Sequence, residues 1–245
     1  MWLQACLNGS MTRADHPRVP VTPDELAADA ALCLAAGAHE VHVHPRNRGG
    51  AESLEAGDVA AAVTAIRASV PGVVISVSTG VWMTGGDPDE RAEILAGWAD
   101  LPAYARPDLA SCNMSEPGWE AVWESLTVAS VGLEAGVWSL DDWELLQQSG
   151  RLPSAARVLL EVLGTPPTES VELAGELQGL ASSSGVPCLL HGDGDATWPI
   201  LQLALAGHMW TRVGLEDTDR GRSGRKIGSN AELVRGAVAL HAELQ

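Results

Sequence analysis

The 245 residues include no phenylalanine and a single tyrosine, so a core or pocket built on phenyl rings is excluded and the aromatic volume falls to nine tryptophans. A buried indole needs a partner for its N–H, so most of these are expected to pack in the core and a few to narrow or floor a pocket. Long apolar runs are missing too. None approaches the ~20 residues of a membrane helix, and the hydrophobic share of 46% with scattered charge is that of a globular chain. Cysteine is sparse and dispersed: Cys6, Cys33, Cys112 and Cys188 form no CxxC pair, which favours four reduced, mostly buried thiols over disulfides or a thiolate metal site. The opening stretch WLQACLNGS lacks the basic region and cleavage site of a signal peptide, so a cytoplasmic protein is expected. Positive charge is also short. A net charge of -17 argues against a nucleic-acid partner, whose phosphates reward a basic surface, and mainly favours solubility. The one basic cluster, RGRSGRK from Arg220 to Lys226, reads either as a solvated loop or as a landing place for a phosphate-bearing ligand.

What the chain does have is alternation. WLQACLN, EVHVH, VVISVS, LASC, GLEAGVW, ARVLLEVLG, VPCLLHG and HMWTRVG each read as a short strand, and each is followed by an amphipathic stretch with helix signals. Thr22 can cap the first helix, with Pro23 in its first turn and Glu25 reaching back, and that helix ends at Gly37. Further helices are predicted over 58–69 and 88–101, from near Trp119, over 140–150, over 169–183, over 196–206 with Asp195 as its cap, and from Asn230. Eight such units in one chain predict a (β/α)8 TIM barrel, a single domain over 1–245.

Active sites of such barrels lie where strands end, and there the chemistry-bearing residues gather: His42, His44, Ser78, Asn113, Glu134, His191, Arg212, Glu216 and Asp217. In VHVHPRN, His42 and His44 share one strand face while Val41 and Val43 point away. Two imidazoles and one carboxylate, for which Glu216 is the candidate, form a three-residue zinc site with an open position. Backbone-bonded polar histidines are the plain alternative. Amidohydrolase-type barrels also carry HxH, but on the first strand and with further ligands from the middle strands. Here strands four to six supply no histidine or lysine, which disfavours two-metal hydrolysis.

Together, LNGS…HPRVPVTPDELAADA, AGAHEVHVHPRN, ISVSTG and RVGLEDT…SNAELV resemble the beta-keto acid cleavage enzymes along nearly the whole chain. The last stretch is the most specific, with Arg212, Glu216, Asp217 and Asn230 at the family's spacing. The resemblance implies a zinc-dependent Claisen-type exchange between a beta-keto acid and acetyl-CoA in a homo-oligomer, a tetramer by the family's habit. It implies His42, His44 and Glu216 as metal ligands and Asp217 as the acid/base residue with Arg212 beside it. Glu134 matches a family glutamate and serves catalysis or orients a neighbour. Ser78 and Asn113 match polar groups that hold the substrate carboxylate, and His191 is either a further substrate contact or a hydrogen-bonded structural histidine.

Gly192 and Gly194, before a helix and near the basic loop, are candidates for the CoA phosphates or the pantetheine arm, because the loops after strands seven and eight are the usual phosphate region of a barrel. Ser10 falls in a substrate loop where many relatives have glutamate, Asn47 replaces an aspartate, and Trp119 and Trp138 stand where phenylalanine is usual. Without a counter-ion at Ser10, a neutral or anionic beta-keto acid is the expected substrate, unless Asp15 folds back into the pocket. A metal-dependent hydrolase or lyase and a non-catalytic ligand-binding barrel are the rival readings.

Overall fold

Each apolar run that precedes a capped amphipathic stretch forms a strand and its return helix. The computed structural model describes residues 1–245. The strands are β1 (Leu3–Cys6), β2 (Glu40–Val43), β3 (Val74–Val77), β4 (Leu109–Asn113), β5 (Gly132–Val137), β6 (Arg157–Val162), β7 (Cys188–Gly192) and β8 (Thr211–Val213). Between and after them run α1 (Pro23–Ala35), α2 (Ala56–Ser69), α3 (Pro88–Ala96), α4 (Trp119–Val128), α5 (Leu140–Gln148), α6 (Pro167–Ala181), α7 (Thr197–Ala206) and α8 (Asn230–Glu243). All strand pairings are parallel, in the order β7-β6-β5-β4-β3-β2-β1-β8. The ring closes through a parallel bridge between Leu189 and Trp210 and the Leu190 amide donating to the Trp210 carbonyl at 2.9 Å. The predicted TIM barrel is the fold observed. No helix is long and apolar enough to cross a membrane, and all four cysteines are free, three of them buried.

Local chemistry sets the helix ends. The Thr22 hydroxyl accepts from the Glu25 amide at 3.3 Å and the Glu25 carboxylate accepts from the Thr22 amide at 3.0 Å, a complete capping box. Thr22→Ala is therefore expected to cost about 0.5–2 kcal/mol of stability in a urea titration. Asp195 does not cap α7. It lies inside a 3-10 turn, Gly194–Ala196, that runs directly into the helix, so its side chain is no longer at the N-cap position. The third helix stops at Ala96 rather than Leu101, because the chain tightens into a 3-10 turn, Gly97–Asp100, that buries Trp98 with its indole N–H donating to the Leu54 carbonyl at 2.8 Å. Helix α6 starts two residues before the predicted Glu169, since Pro167 suits a first turn.

Barrel interiors are usually filled by branched aliphatic side chains. This one carries a buried polar network instead. Arg157 of β6 donates to both Glu40 of β2 and Glu134 of β5, lies 5.9 Å from the Trp210 ring centroid, and Gln4 donates to Glu40 at 3.0 Å. Burial pushes the Glu40 carboxyl up, and the Arg157 charge offsets that only in part.

Candidate active site

Alternation along β2 sends His42, and His44 just beyond it, to the barrel mouth, while Val41 and Val43 are buried in the core. Glu216 arrives from the turn after β8. Its carboxylate Oε1 lies 3.9 Å from His42 Nε2 and 3.7 Å from His44 Nε2, and one ligand atom from each of the three residues falls within 4.8 Å of the others. Two glycines permit the approach. A Cβ on Gly214 would overlap the Cys6 carbonyl, and one on Gly9, which has φ +51°, would overlap the Glu216 side chain. Asn230 pins the same turn: its side-chain oxygen accepts from the Leu215 amide at 2.6 Å, and its amide group donates to the Leu7 carbonyl and to Asp29. That is the physical content of the RVGLEDT…SN spacing.

Hydrogen bonding selects the imidazole tautomers. The Ser76 hydroxyl is committed to the Glu134 carboxylate, so at 2.8 Å it accepts from His42 Nδ1–H. His44 Nδ1–H donates to Glu52 at 2.5 Å. Both Nε2 atoms are thus turned toward Glu216, whose second oxygen is buried without a partner. Two imidazole nitrogens and a carboxylate oxygen with an orphaned acceptor fit a divalent cation, and carboxylate-backed histidines are typical of such centres. Burial drives the His42 imidazole down to about 3, against the pull of Glu216. In His44 the opposing carboxylates Glu216 and Glu52 overcome burial and lift it to about 9. Burial would raise the Glu216 carboxyl, yet Arg212 and the two histidines hold it well below the usual range. Glu52→Ala is expected to weaken metal binding by roughly 10–100-fold in a chelator competition, because His44 then loses its orienting acceptor.

Glu216 and Asp217 do not lie in extended chain, where neighbouring side chains would diverge. The Asp217 and Thr218 amides both donate to the Gly214 carbonyl, and the resulting turn brings both carboxylates to the cavity. Arg212 joins them: its Nη2 donates to Glu216 Oε1 and to Asp217 Oδ1, both at 2.8 Å, and its Nε donates to Asp217 at 3.2 Å. Burial pushes the Asp217 carboxyl above its ordinary value, with Arg212 and His191 offsetting this in part, and its second oxygen has no partner. A raised carboxyl with a free acceptor beside a fixed guanidinium suits a group that takes and returns a proton.

The cavity above these groups measures about 190 Å³ and is also lined by Ser10, Ser78 and Asn113. Four predicted positions lie elsewhere. Glu134 is in the middle of β5 rather than at its end, fully buried below the mouth, and reaches the site only through Ser76 and His42. His191 is 1% exposed and sits behind the wall, its Nε2 2.9 Å from Glu161 and its Nδ1 3.6 Å from Asp217. Gly192 packs under Ile200, whereas Gly194 borders a separate groove of about 480 Å³ with Arg220 and Arg222. The basic loop there is partly neutralised, Arg222 by Glu243 at 2.8 Å and Lys226 by Asp219 at 3.2 Å. The residues that sequence reasoning missed are Glu52, Trp82, Glu161 and Asp193. Glu161 was legible, since Arg157, Leu159 and Glu161 alternate along one strand and a charge in RVLLEVL must face a site or a partner. Glu52 was not, because it returns from a loop held by an isolated bridge to Arg46.

The profile of the beta-keto acid cleavage enzyme family matches residues 1–245. The chain belongs to this family. Among curated beta-keto acid cleavage relatives it is 26% identical to a 3-oxoadipate:acetyl-CoA acetyltransferase of Cupriavidus necator, covering 98% of this chain and 88% of that one. It is 27% identical to a 3-keto-5-aminohexanoate cleavage enzyme of Fusobacterium nucleatum, covering 98% and 90%. Among solved structures, the ternary complex of ObcA with a C4-CoA adduct and oxalate superposes with a TM-score of 0.74 at 17% identity, over 93% of this chain and 64% of that one. The family member described here thus spans less than two thirds of that structure, and the likeness concerns the fold.

Proposed function

We propose that this chain catalyses a zinc-dependent exchange in which a beta-keto acid and acetyl-CoA give acetoacetate and the CoA thioester of the remaining acyl group. The observation that carries this reading is the placing of His42, His44 and Glu216 on one cavity with the Arg212–Asp217 pair, in a chain of the beta-keto acid cleavage family. His42, His44 and Glu216 would hold the zinc, which when bound polarises the substrate ketone as a Lewis acid. Ser78 and Asn113 offer polar groups to the substrate carboxylate. Asp217 removes a proton from the carbon between carboxylate and ketone, that carbon forms its new bond to the acetyl carbonyl as CoA departs, and the CoA thiolate takes the old acyl group as the original carbon–carbon bond breaks. Asp217 then returns the proton to acetoacetate. Arg212 holds the Asp217 carboxylate in register and neutralises charge that develops beside it. Glu134 acts at one remove, fixing His42 through Ser76.

The groove beside Gly194, Arg220 and Arg222 is the support for a CoA phosphate site on an otherwise acidic protein. Family membership supports a tetramer, and acetyl-CoA as co-substrate fits a cytoplasmic enzyme. The test is a panel of beta-keto acids with acetyl-CoA, scored for acetoacetate and for a new acyl-CoA. Turnover that disappears with a chelator and returns with zinc is expected. Zinc-loaded protein that forms neither product from any member of the panel would overturn the proposal.

A further inference from the structure

Behind the cavity wall made by the ends of β3 and β4, where Ser78 and Asn113 stand, lies a buried ion pair that the proposed mechanism does not use. Arg91 of α3 is 1% exposed and Glu116, in the loop after β4, is 6% exposed, and the guanidinium donates to Glu116 Oε2. The pair also holds backbone on both sides. Arg91 donates to the Thr79 carbonyl at 3.3 Å and to the Pro117 carbonyl at 2.5 Å, and Glu116 Oε2 accepts from the Val81 amide at 3.1 Å. The other carboxylate oxygen, Oε1, accepts from Asn113 Nδ2 at 2.8 Å. We infer that Glu116 is a positioning residue, which turns the Asn113 amide so that its nitrogen serves the substrate carboxylate. The inference rests on the proposed reading of Ser78 and Asn113 as carboxylate contacts and names the group that sets them.

An asparagine side chain can turn over with little change of shape, exchanging a donor for an acceptor. Glu116 removes that freedom. A carboxylate that already accepts from Arg91 and from the Val81 amide offers only lone pairs, so the Asn113 nitrogen faces it and the Asn113 oxygen is turned away, over Gly136. The second N–H of that nitrogen meets no protein acceptor and is left for the cavity, which Asn113 lines. Gly136 secures the fit from the other side, since a Cβ there would overlap the Asn113 oxygen. Ser78 is set by the same pair. The turn that follows it is held at the Thr79 carbonyl by Arg91 and at the Val81 amide by Glu116, and within it the Gly80 amide donates to the Ser78 hydroxyl at 3.4 Å, which leaves the hydroxyl proton unspent. Two unspent donors on one cavity match the two oxygens of a carboxylate. A buried ion pair is costly to desolvate and weak as a stabiliser; here it supplies orientation.

Glu116→Gln keeps the shape and loses an acceptor. Its oxygen stays with Arg91 and the Val81 amide, its own nitrogen then meets the Asn113 nitrogen as a second donor, and the Asn113 amide turns over, which takes its N–H from the substrate. The zinc-loaded variant should bind 3-hydroxy acids, uncleavable counterparts of the keto-acid panel, roughly tenfold more weakly by calorimetry, with KM for the keto acid raised to match and kcat nearly unchanged. In an Asn113→Ala background the same substitution should have no further effect, because the group it acts through is gone. The corresponding 3-hydroxy carboxamides, which lack the carboxylate, should bind wild type and Glu116→Gln alike. Gly136→Ala leaves the ion pair intact and displaces the Asn113 oxygen from the opposite side; it should weaken hydroxy-acid binding too, and carries the test where Glu116→Gln does not fold. Unchanged affinity in either folded variant, an undiminished effect of Glu116→Gln in the Asn113→Ala background, or an equal loss for the carboxamides overturns the inference, as does wild-type protein that binds none of the hydroxy acids. Absence of turnover on every keto acid sinks the proposed reaction, while hydroxy-acid binding still judges Glu116.

Discussion

The Asp217→Asn protein is expected to bind zinc as the wild type does and to lose roughly 10²–10⁴-fold in kcat. Asparagine keeps an oxygen for the two Arg212 donors and leaves undisturbed the backbone bonds of the turn, in which the Asp217 amide donates to Gly214 and its carbonyl accepts from the Gly194 amide. It cannot take a proton. The Asp217 side chain meets the metal set only through Arg212, whose donors an asparagine oxygen still engages, so metal content and turnover should part company. Equal losses in kcat and kcat/KM with unchanged zinc by elemental analysis would mark a group that works in the chemical step. A variant with near-wild-type kcat would remove Asp217 from proton transfer.

The converse result is expected at His44. His44→Ala leaves one imidazole and one carboxylate, and strands Glu52, whose oxygens then keep only the Trp82 indole at 3.2 Å. Loss of a ligand should exceed the roughly 10–100-fold weakening produced by loss of an orienting neighbour, so the purified variant should carry no stoichiometric zinc. Circular dichroism should show an intact barrel, since the ligand lies at the mouth and the core cluster beneath it is untouched. Full zinc retention in a folded His44→Ala protein would refute the assignment of His44 as a ligand.

Most of the architecture was legible because short-range chemistry dictates it: the capping box at Thr22, the strand alternation that aims His42 and His44, and the glycines that end loops. The metal set was legible for the same reason on one side only. Period-two alternation brings His42 and His44 together within three residues, whereas the Glu216 approach depends on contacts from β1 and α8 that no local pattern records. Glu134 was misplaced by two or three residues because the end of a strand is poorly marked in GLEAGVW, where small residues follow the glutamate. For His191 the sequence supports two readings, substrate contact and structural histidine, without choosing between them. A polar residue pointing inward at a strand end looks the same in sequence whether it meets solvent or, as here, another carboxylate behind the wall. Glu161 was overlooked although its period was visible, because the apolar residues around it read as a wholly buried strand.

The tight seating of Gly9 and Gly214 against Glu216 and β1 divides the mouth into two territories with different tolerance to change. On the side of β8, β1 and β2, a single methyl group at a position that touches no reactant would displace a ligand, so nearly any alteration there is silencing. On the side of β5 to β7, side chains meet the cavity without bearing on the ligands, and that rim can be rewritten residue by residue. A barrel arranged in this way can acquire new substrates while its reaction stays the same. Directed evolution of this chain should therefore find its productive mutations clustered at Trp138, Leu159, Glu161, Leu163 and Asp193.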